Sequence, residues 1–491
     1  MAAETSCEVE TVLGKRRKFQ LKKTIGLWRG ISVLCGVIIG SGIFITPGGI
    51  LRASNGSVGL SLIVWMCGGI IGSLSALGYC ELSTTIGESG GNFTFYSLTY
   101  GPSIGFLLVW MNAIAPFGDA VKIISLARYT LESFTGGCSP PNSAITLTAV
   151  VFLCSFLYSN CLSTKGTLKI EIVCTCAKFL AMATIAVTGV VMLVRQNPVG
   201  INNFKTAFDP KPFETMDWGN FAAVFYQVVW PYSGWNSVSY LVEEIRDPSK
   251  IVPLATIGTL VLVTISYLLV NIGLFGVLTV EEIMESKAVA GLFASRVFGS
   301  VSWLVPLLVC VCIIGSYNAS VLVYGRPPFA AARRNCLPRI FSMAHIHRYT
   351  PCPAYIWNAV GTLVLVGIAD FDTLLESVGF IEWLITGLNA GSVLILRKKF
   401  PDVERPYKAP TFAPILVILF SIFFMVSPII TKPKVSYLYS LVYIVSGFIA
   451  YFAVIRPKRN YAFADKFTLF CQKLFQVAPT DFEPKLAKPD N

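Results

Sequence analysis

An apolar stretch from Ile25 to about Leu51 is interrupted in its middle by Gly40, Ser41 and Gly42, inside the run Val37-Ile38-Ile39-Gly40-Ser41-Gly42-Ile43-Phe44. A second interruption, Tyr232-Ser233-Gly234 between Pro231 and Trp235-Asn236, falls in another membrane-length segment. In hydrocarbon an unpaired backbone amide or carbonyl costs several kcal/mol, so unwound backbone at mid-depth is tolerated only where it lines a cavity. Broken helices in corresponding positions of two halves of a chain point to a transporter binding site. The ligand expected there has both an anionic and a cationic end.

The rest of the chain agrees with a membrane setting. Of 491 residues 54% are hydrophobic and only 13% charged, and the mean hydropathy is +0.65. At about 20 residues per span, an all-α polytopic protein of about twelve transmembrane helices is predicted, centred near residues 38, 70, 118, 153, 182, 230, 264, 312, 360, 385, 420 and 447. The expected domains are a basic tail over 1–24, one twelve-helix domain over 25–455, and a second tail over 456–491. Lys15, Arg16, Arg17 and Lys18, the loop with Arg326, Arg333, Arg334 and Arg339, and the turn Arg397-Lys398-Lys399 all fall on one side of that topology. The positive-inside bias makes both termini cytoplasmic. The net charge of +12 therefore reads as this bias plus attraction to anionic membrane lipids, not as a nucleic-acid surface.

Enzyme chemistry is disfavoured. The only two histidines, His345 and His347, sit together in one loop, so neither a Ser-His-Asp triad nor a zinc site is expected in the membrane. No Gly-x-x-x-x-Gly-Lys-Ser/Thr phosphate loop is present, so neither ATP-driven transport nor any cofactor or metal is expected. Of 14 cysteines, Cys138 stands alone in the short outer loop between spans three and four. A lone cysteine in an oxidising compartment suggests an intermolecular disulfide, the alternative being a free thiol.

Helix ends exposed at Gly40, Ser41 and Gly42 offer amides suited to a carboxylate. Carbonyls around Ile38, Ile39 and Trp230 to Ser233 would accept from an ammonium group. Lys178 is a cation deep in span five and a functional residue by default. Asp119 and Lys122 in span three are spaced to pair on one helix face. In the tail, Phe463, Phe467, Phe470, Leu474 and Val477 recur at helical spacing and predict an amphipathic helix lying on the membrane.

Gly40-Ser41-Gly42-Ile43-Phe44-Ile45-Thr46-Pro47, Ala76-Leu77-Gly78-Tyr79-Cys80-Glu81-Leu82 with Ser89-Gly90-Gly91, and Gly234-Trp235-Asn236 with Glu243-Glu244-Ile245-Arg246-Asp247-Pro248 together resemble the light subunits of heteromeric amino acid transporters. These belong to the amino acid, polyamine and organocation superfamily. The resemblance runs from about residue 20 to the C-terminal Cys471–Val477 segment. It implies a LeuT-type fold, with inverted repeats over about 25–195 and 218–397 and broken helices one and six. It also implies sodium-independent obligatory exchange of L-amino acids at the plasma membrane, with Lys178 occupying a sodium-site position and Cys138 linking the chain to a single-pass glycoprotein heavy chain.

The site residues implied are Ile38, Ile39, Gly40, Ser41, Gly42, Trp230, Tyr232, Ser233 and Asn236 around the breaks, with Phe117 and Glu382 in the distal pocket. Trp230 stands where such proteins carry a gating aromatic. Ser233 stands where relatives of other specificity carry an aspartate, which removes one partner for a cationic side chain, and Phe117 stands where the cystine/glutamate exchanger carries an arginine, which leaves an anionic distal group without a partner. Glu382, if it faces the cavity, would hold a lysine or arginine substrate; the alternative is a packed glutamate off the pathway. The expected substrates are large and broad neutral amino acids, with cationic ones as further candidates. A proton-coupled symporter using Asp119 or Glu382 is the rival reading.

Overall fold

The computed structural model describes residues 23–479 apart from 89, 112–115, 135–139, 210–217, 287–288, 369–370, 432–434 and 458–461. Among the described residues, eight helical segments are long and apolar enough to cross a membrane: Leu27–Ile45, Val58–Ile86, Asn142–Leu162, Gly166–Val194, Pro248–Phe275, Leu304–Arg333, Ser377–Lys399 and Tyr437–Ile455. They are spans one, two, four, five, seven, eight, ten and twelve. Helices Phe117–Phe134, Trp218–Tyr232, Cys352–Ile368 and Phe412–Thr431 fill the positions expected for spans three, six, nine and eleven. Span three carries Asp119, Lys122, Arg128 and Glu132, and span six is broken after 15 residues, which is why neither reads as a plain hydrophobic span.

Local chemistry sets the ends of these helices. Ser57 caps span two by accepting from the Leu60 amide at 3.2 Å, and Gly87 stops it in the left-handed conformation at φ 65°. Ser163 caps span five in the same way, accepting from the Gly166 amide at 3.1 Å. Span seven opens on Pro248, where the missing amide costs nothing. Apolar residues left on the outside, such as Ile63, Met66 and Ile70 on one face of span two, are exposed as lipid-facing side chains should be.

Span two packs on span seven, span three on span eight, and span four on span nine. Each partner lies five spans later, the pairing that two interleaved five-helix units produce. Span one is gripped by spans five, seven and eight. At the centre, Trp65, Tyr232 and Tyr267 are fully buried and pack ring against ring, with centroids 5.0 to 6.1 Å apart.

The tail departs from expectation at one point. Helix Ala462–Phe475 leaves Phe467, Phe470 and Leu474 exposed, but Val477 does not continue the stripe. Gln476 takes φ 50° and ends the helix, and Val477–Pro479 forms a strand antiparallel to Met343–His345. Val477 is buried there beside Ile340, Met343 and Cys471.

Candidate functional site

Span one leaves the helix after Ile38, turns through Ile39 at φ −79°, ψ 96°, and resumes helix over Gly42–Ile45. Among the described residues, the amides of Gly40, Ser41, Gly42 and Ile43 have no hydrogen-bond acceptor. They form the free N-terminal end of a helix, buried at the middle of the molecule, where a carboxylate is stabilised. Glycine is required here for closeness. A Cβ on Gly42 would stand 2.8 Å from the Pro231 Cα, and one on Gly40 would stand 2.9 Å from the Ser316 Oγ.

Span six ends its regular helix at Tyr232 and resumes as a tight 3₁₀ helix over Ser237–Glu244. Gly234 carries the turn at φ +109°, a conformation costly for any side-chain-bearing residue. The Tyr267 hydroxyl of span seven reaches between the breaks, 2.9 Å from the Pro231 carbonyl and 3.3 Å from the Ile38 carbonyl. The Ser233 amide donates to the Trp230 carbonyl at 3.1 Å. Three carbonyls expected to face an ammonium group, those of Ile38, Trp230 and Pro231, are thus engaged within the protein. Those of Ile39, Tyr232 and Ser233 have no donor among the described residues.

Beside the breaks lies a small cavity of about 60 Å³, lined by Phe117, Asp119, Lys122, Trp230, Ser233 and Glu382, with Val37, Tyr324 and Ile381 among its other walls. The Trp230 ring lies over Gly118, where a Cβ would stand 3.9 Å from it. Phe117 is braced by an edge-to-face contact with Tyr443 of span twelve at 5.6 Å. Glu382 faces the cavity and has no hydrogen-bond or ion-pair partner among the described residues. Asp119 and Lys122 form no direct ion pair despite their spacing, although their charges remain coupled across the helix face. Lys122 Nζ donates to Ser320 Oγ at 2.6 Å and Asp119 Oδ2 accepts from Asn358 Nδ2 at 3.4 Å, because spans eight and nine offer polar partners across the interface. The distal pocket therefore holds a cation that the sequence reading had assigned to an internal pair.

Lys178 is completely buried and donates to the Gly36 carbonyl of span one at 2.7 Å. Glu171, also completely buried, stands 3.7 Å from the same ammonium. This carboxylate escaped the sequence reading although the signal was there: it lies two helical turns before Lys178, hence on the same face of span five.

Of the residues expected at the site, Phe117, Trp230, Ser233 and Glu382 converge on the cavity, and Ile39 to Gly42 supply the neighbouring free backbone. Three do not join them. The Ile38 carbonyl is taken up by the Tyr267 hydroxyl. Tyr232, the last helical residue before its break, turns away from the cavity and donates to the Trp65 carbonyl at 3.0 Å. Asn236 is buried behind the second break, with its amide 3.5 Å from the Tyr240 hydroxyl. Tyr267 and Ser316 were not expected either; each is an ordinary core residue in sequence and acquires its part only from a partner on another helix. Cys138 lies outside the described residues.

Residues 25–455 match the description of the amino acid permease family. The chain is 35% identical to the b(0,+)-type amino acid transporter 1 of Mus musculus across 95% of each chain. It is 35% identical to the cystine/glutamate transporter of Homo sapiens over 95% of this chain and 93% of that one. With the large neutral amino acids transporter small subunit 2 of Rattus norvegicus the identity is 34%, over 97% of this chain and 89% of that one. A solved structure of MhsT in complex with L-phenylalanine superposes with a TM-score of 0.58 at 13% identity, covering 87% of this chain and 99% of that one. The LeuT-type helical architecture expected from the motifs is borne out, as is the resemblance that suggested it.

Proposed function

The chain belongs to the amino acid permease family, and from that premise we propose that it is a sodium-independent obligatory exchanger of L-amino acids. The substrates are large and broad neutral amino acids, with cationic ones as a second class. The observation that carries this reading is the combination of free amides at Gly40 to Ile43, packed against span six at Pro231, with free carbonyls at Ile39, Tyr232 and Ser233, the last lining the cavity. Such a site reads the α-carboxylate and α-ammonium of any amino acid and leaves the side chain to the pocket beyond. The Trp230 ring supports an apolar or aromatic side chain, and Glu382, which makes no hydrogen bond and shares the cavity with the Lys122 ammonium, supports a cationic one. The Lys178 ammonium bonded to span one supports operation without sodium, since it supplies a fixed positive charge between the fifth and first spans.

The same reading makes the chain the light subunit of a heterodimer, joined through Cys138 to a glycoprotein heavy chain at the plasma membrane, with both termini cytoplasmic. Spans one to five and six to ten form its inverted repeats, over about 25–195 and 218–397. A shifted band on non-reducing gels of native membranes, lost in C138S, is the expected result.

Transport is tested with the purified chain in liposomes, in sodium-free buffer at two pH values, using labelled leucine and arginine with and without internal leucine. Strong stimulation by internal leucine at both pH values is the expected outcome. Uptake indifferent to internal amino acid but driven by an inward proton gradient would replace exchange with symport, for which Asp119 and Glu382 on the cavity are the candidate proton sites. E382Q is expected to abolish arginine uptake while sparing leucine; equal loss of both would remove Glu382 from substrate recognition.

A further inference from the structure

Glu171 makes no hydrogen bond to span one among the described residues, yet it is packed tightly against it. A Cβ on Gly36 would collide with its carboxyl group. Its polar neighbours are all on the helices that grip span one. Thr175 Oγ1 lies 3.5 Å from Oε1, Asn318 Nδ2 lies 3.5 Å from Oε2, and Lys178 Nζ lies 3.7 Å from Oε1. Asn318 is held in turn by Asn160 of span four, whose Nδ2 donates to its Oδ1 at 3.1 Å. All three contacts to the carboxylate are long for hydrogen bonds to a charged acceptor. The ammonium of Lys178, by contrast, makes a short bond of 2.7 Å to the Gly36 carbonyl.

One cation therefore has two acceptors, one on the first span and one on its own helix. Exchange requires span one to move against the helices that hold it, and any movement of Gly36 away from span five takes the short bond with it. A fully buried ammonium deprived of its acceptor is strongly unfavourable unless another is at hand. Glu171 is at hand, on the same helix face.

We propose that Glu171 is a positioning residue of the transport cycle, accepting the Lys178 ammonium when span one withdraws the Gly36 carbonyl. The ammonium shuttles between a backbone carbonyl in one state and a carboxylate in the other, and neither state leaves it bare. Glu171 touches no substrate, so its removal slows the conformational step without weakening binding. This inference rests on the exchange reading above and extends it to the moving parts.

The test is leucine exchange in liposomes, with rates expressed per folded transporter. E171Q keeps the shape and the amide-to-Asn318 contact but removes the charge. It is expected to lower Vmax by about tenfold or more while KM stays within about twofold, because a buried charge loses its partner in only one state. E171D, which keeps the charge, is expected to recover most of the rate. If E171Q fails to assemble, the doubly neutral E171Q/K178M is read for folding yield instead: it is expected to fold in greater yield than E171Q, since no ammonium is left needing a second acceptor. E171Q exchanging at the wild-type rate, a proportional rise in KM, or a double variant no better than an unassembled E171Q overturns the proposal. Absence of trans-stimulation in the wild-type chain is a separate result: it refutes obligatory exchange, while the ratio of E171Q to wild-type uptake still reads the role of Glu171.

Discussion

The two helix breaks serve one cavity but are built on opposite principles. In span one the backbone at Gly40 and Gly42 is unremarkable in conformation, and glycine is needed because Pro231 and Ser316 come too close for a side chain. In span six the backbone itself is unusual, with Gly234 at φ +109°, and Pro231 inside the helix removes an amide one turn earlier. The first break is imposed by what surrounds it and the second by the chain's own torsions. A break of the first kind can shift as its neighbours shift, whereas one of the second kind holds its shape. Tyr267 joins the two breaks through a single hydroxyl.

Three substitutions test that contrast. Gly234→Ala meets both an unfavourable φ and the Val37 Cγ1, 2.7 Å from the new Cβ; strain and overpacking together should cost roughly 2–5 kcal/mol. The expected result is a large drop in the melting temperature of the purified chain with little transport left. Gly42→Ala meets only crowding against Pro231 and should cost about 1–3 kcal/mol. Because span one can give way, substrate affinity should fall more than stability does, as read by leucine KM against thermal melting. Equal effects of the two alanines on melting would erase the distinction between the breaks. Tyr267→Phe, the mildest, removes a hydrogen bond worth about 1 kcal/mol; the exchange rate should drop several-fold with melting nearly unchanged if the hydroxyl couples the two breaks. An unaltered rate would mean they move independently.

The spans and both breaks were legible in the sequence because hydropathy, glycine and proline act locally. Lys178 was legible because a charge in an apolar span has few explanations. Less accessible were the choices made across helix interfaces. Helical spacing permits an Asp119–Lys122 pair, but Ser320 and Asn358 compete for both ends from spans eight and nine. Tyr232 adjoins the break in sequence, yet its side chain is turned away to pack with Trp65 and Tyr267. Carbonyls freed by a broken helix were all expected to face the ligand, but a tyrosine from a third helix engages two of them. In each case the sequence names a group and its spacing, and a partner remote in the chain decides where it is used.

The short pairing of Met343–His345 with Val477–Pro479 ties the loop after span eight to the tail after span twelve. During synthesis, at about 5–20 residues per second, the first strand waits roughly 7–26 s for its complement to leave the ribosome. Until then that edge is bare, together with the apolar surface of Ile340 and Met343 that Val477 and Cys471 cover. The loop and the tail thus form one small folding unit, each covering apolar surface that the other would leave bare.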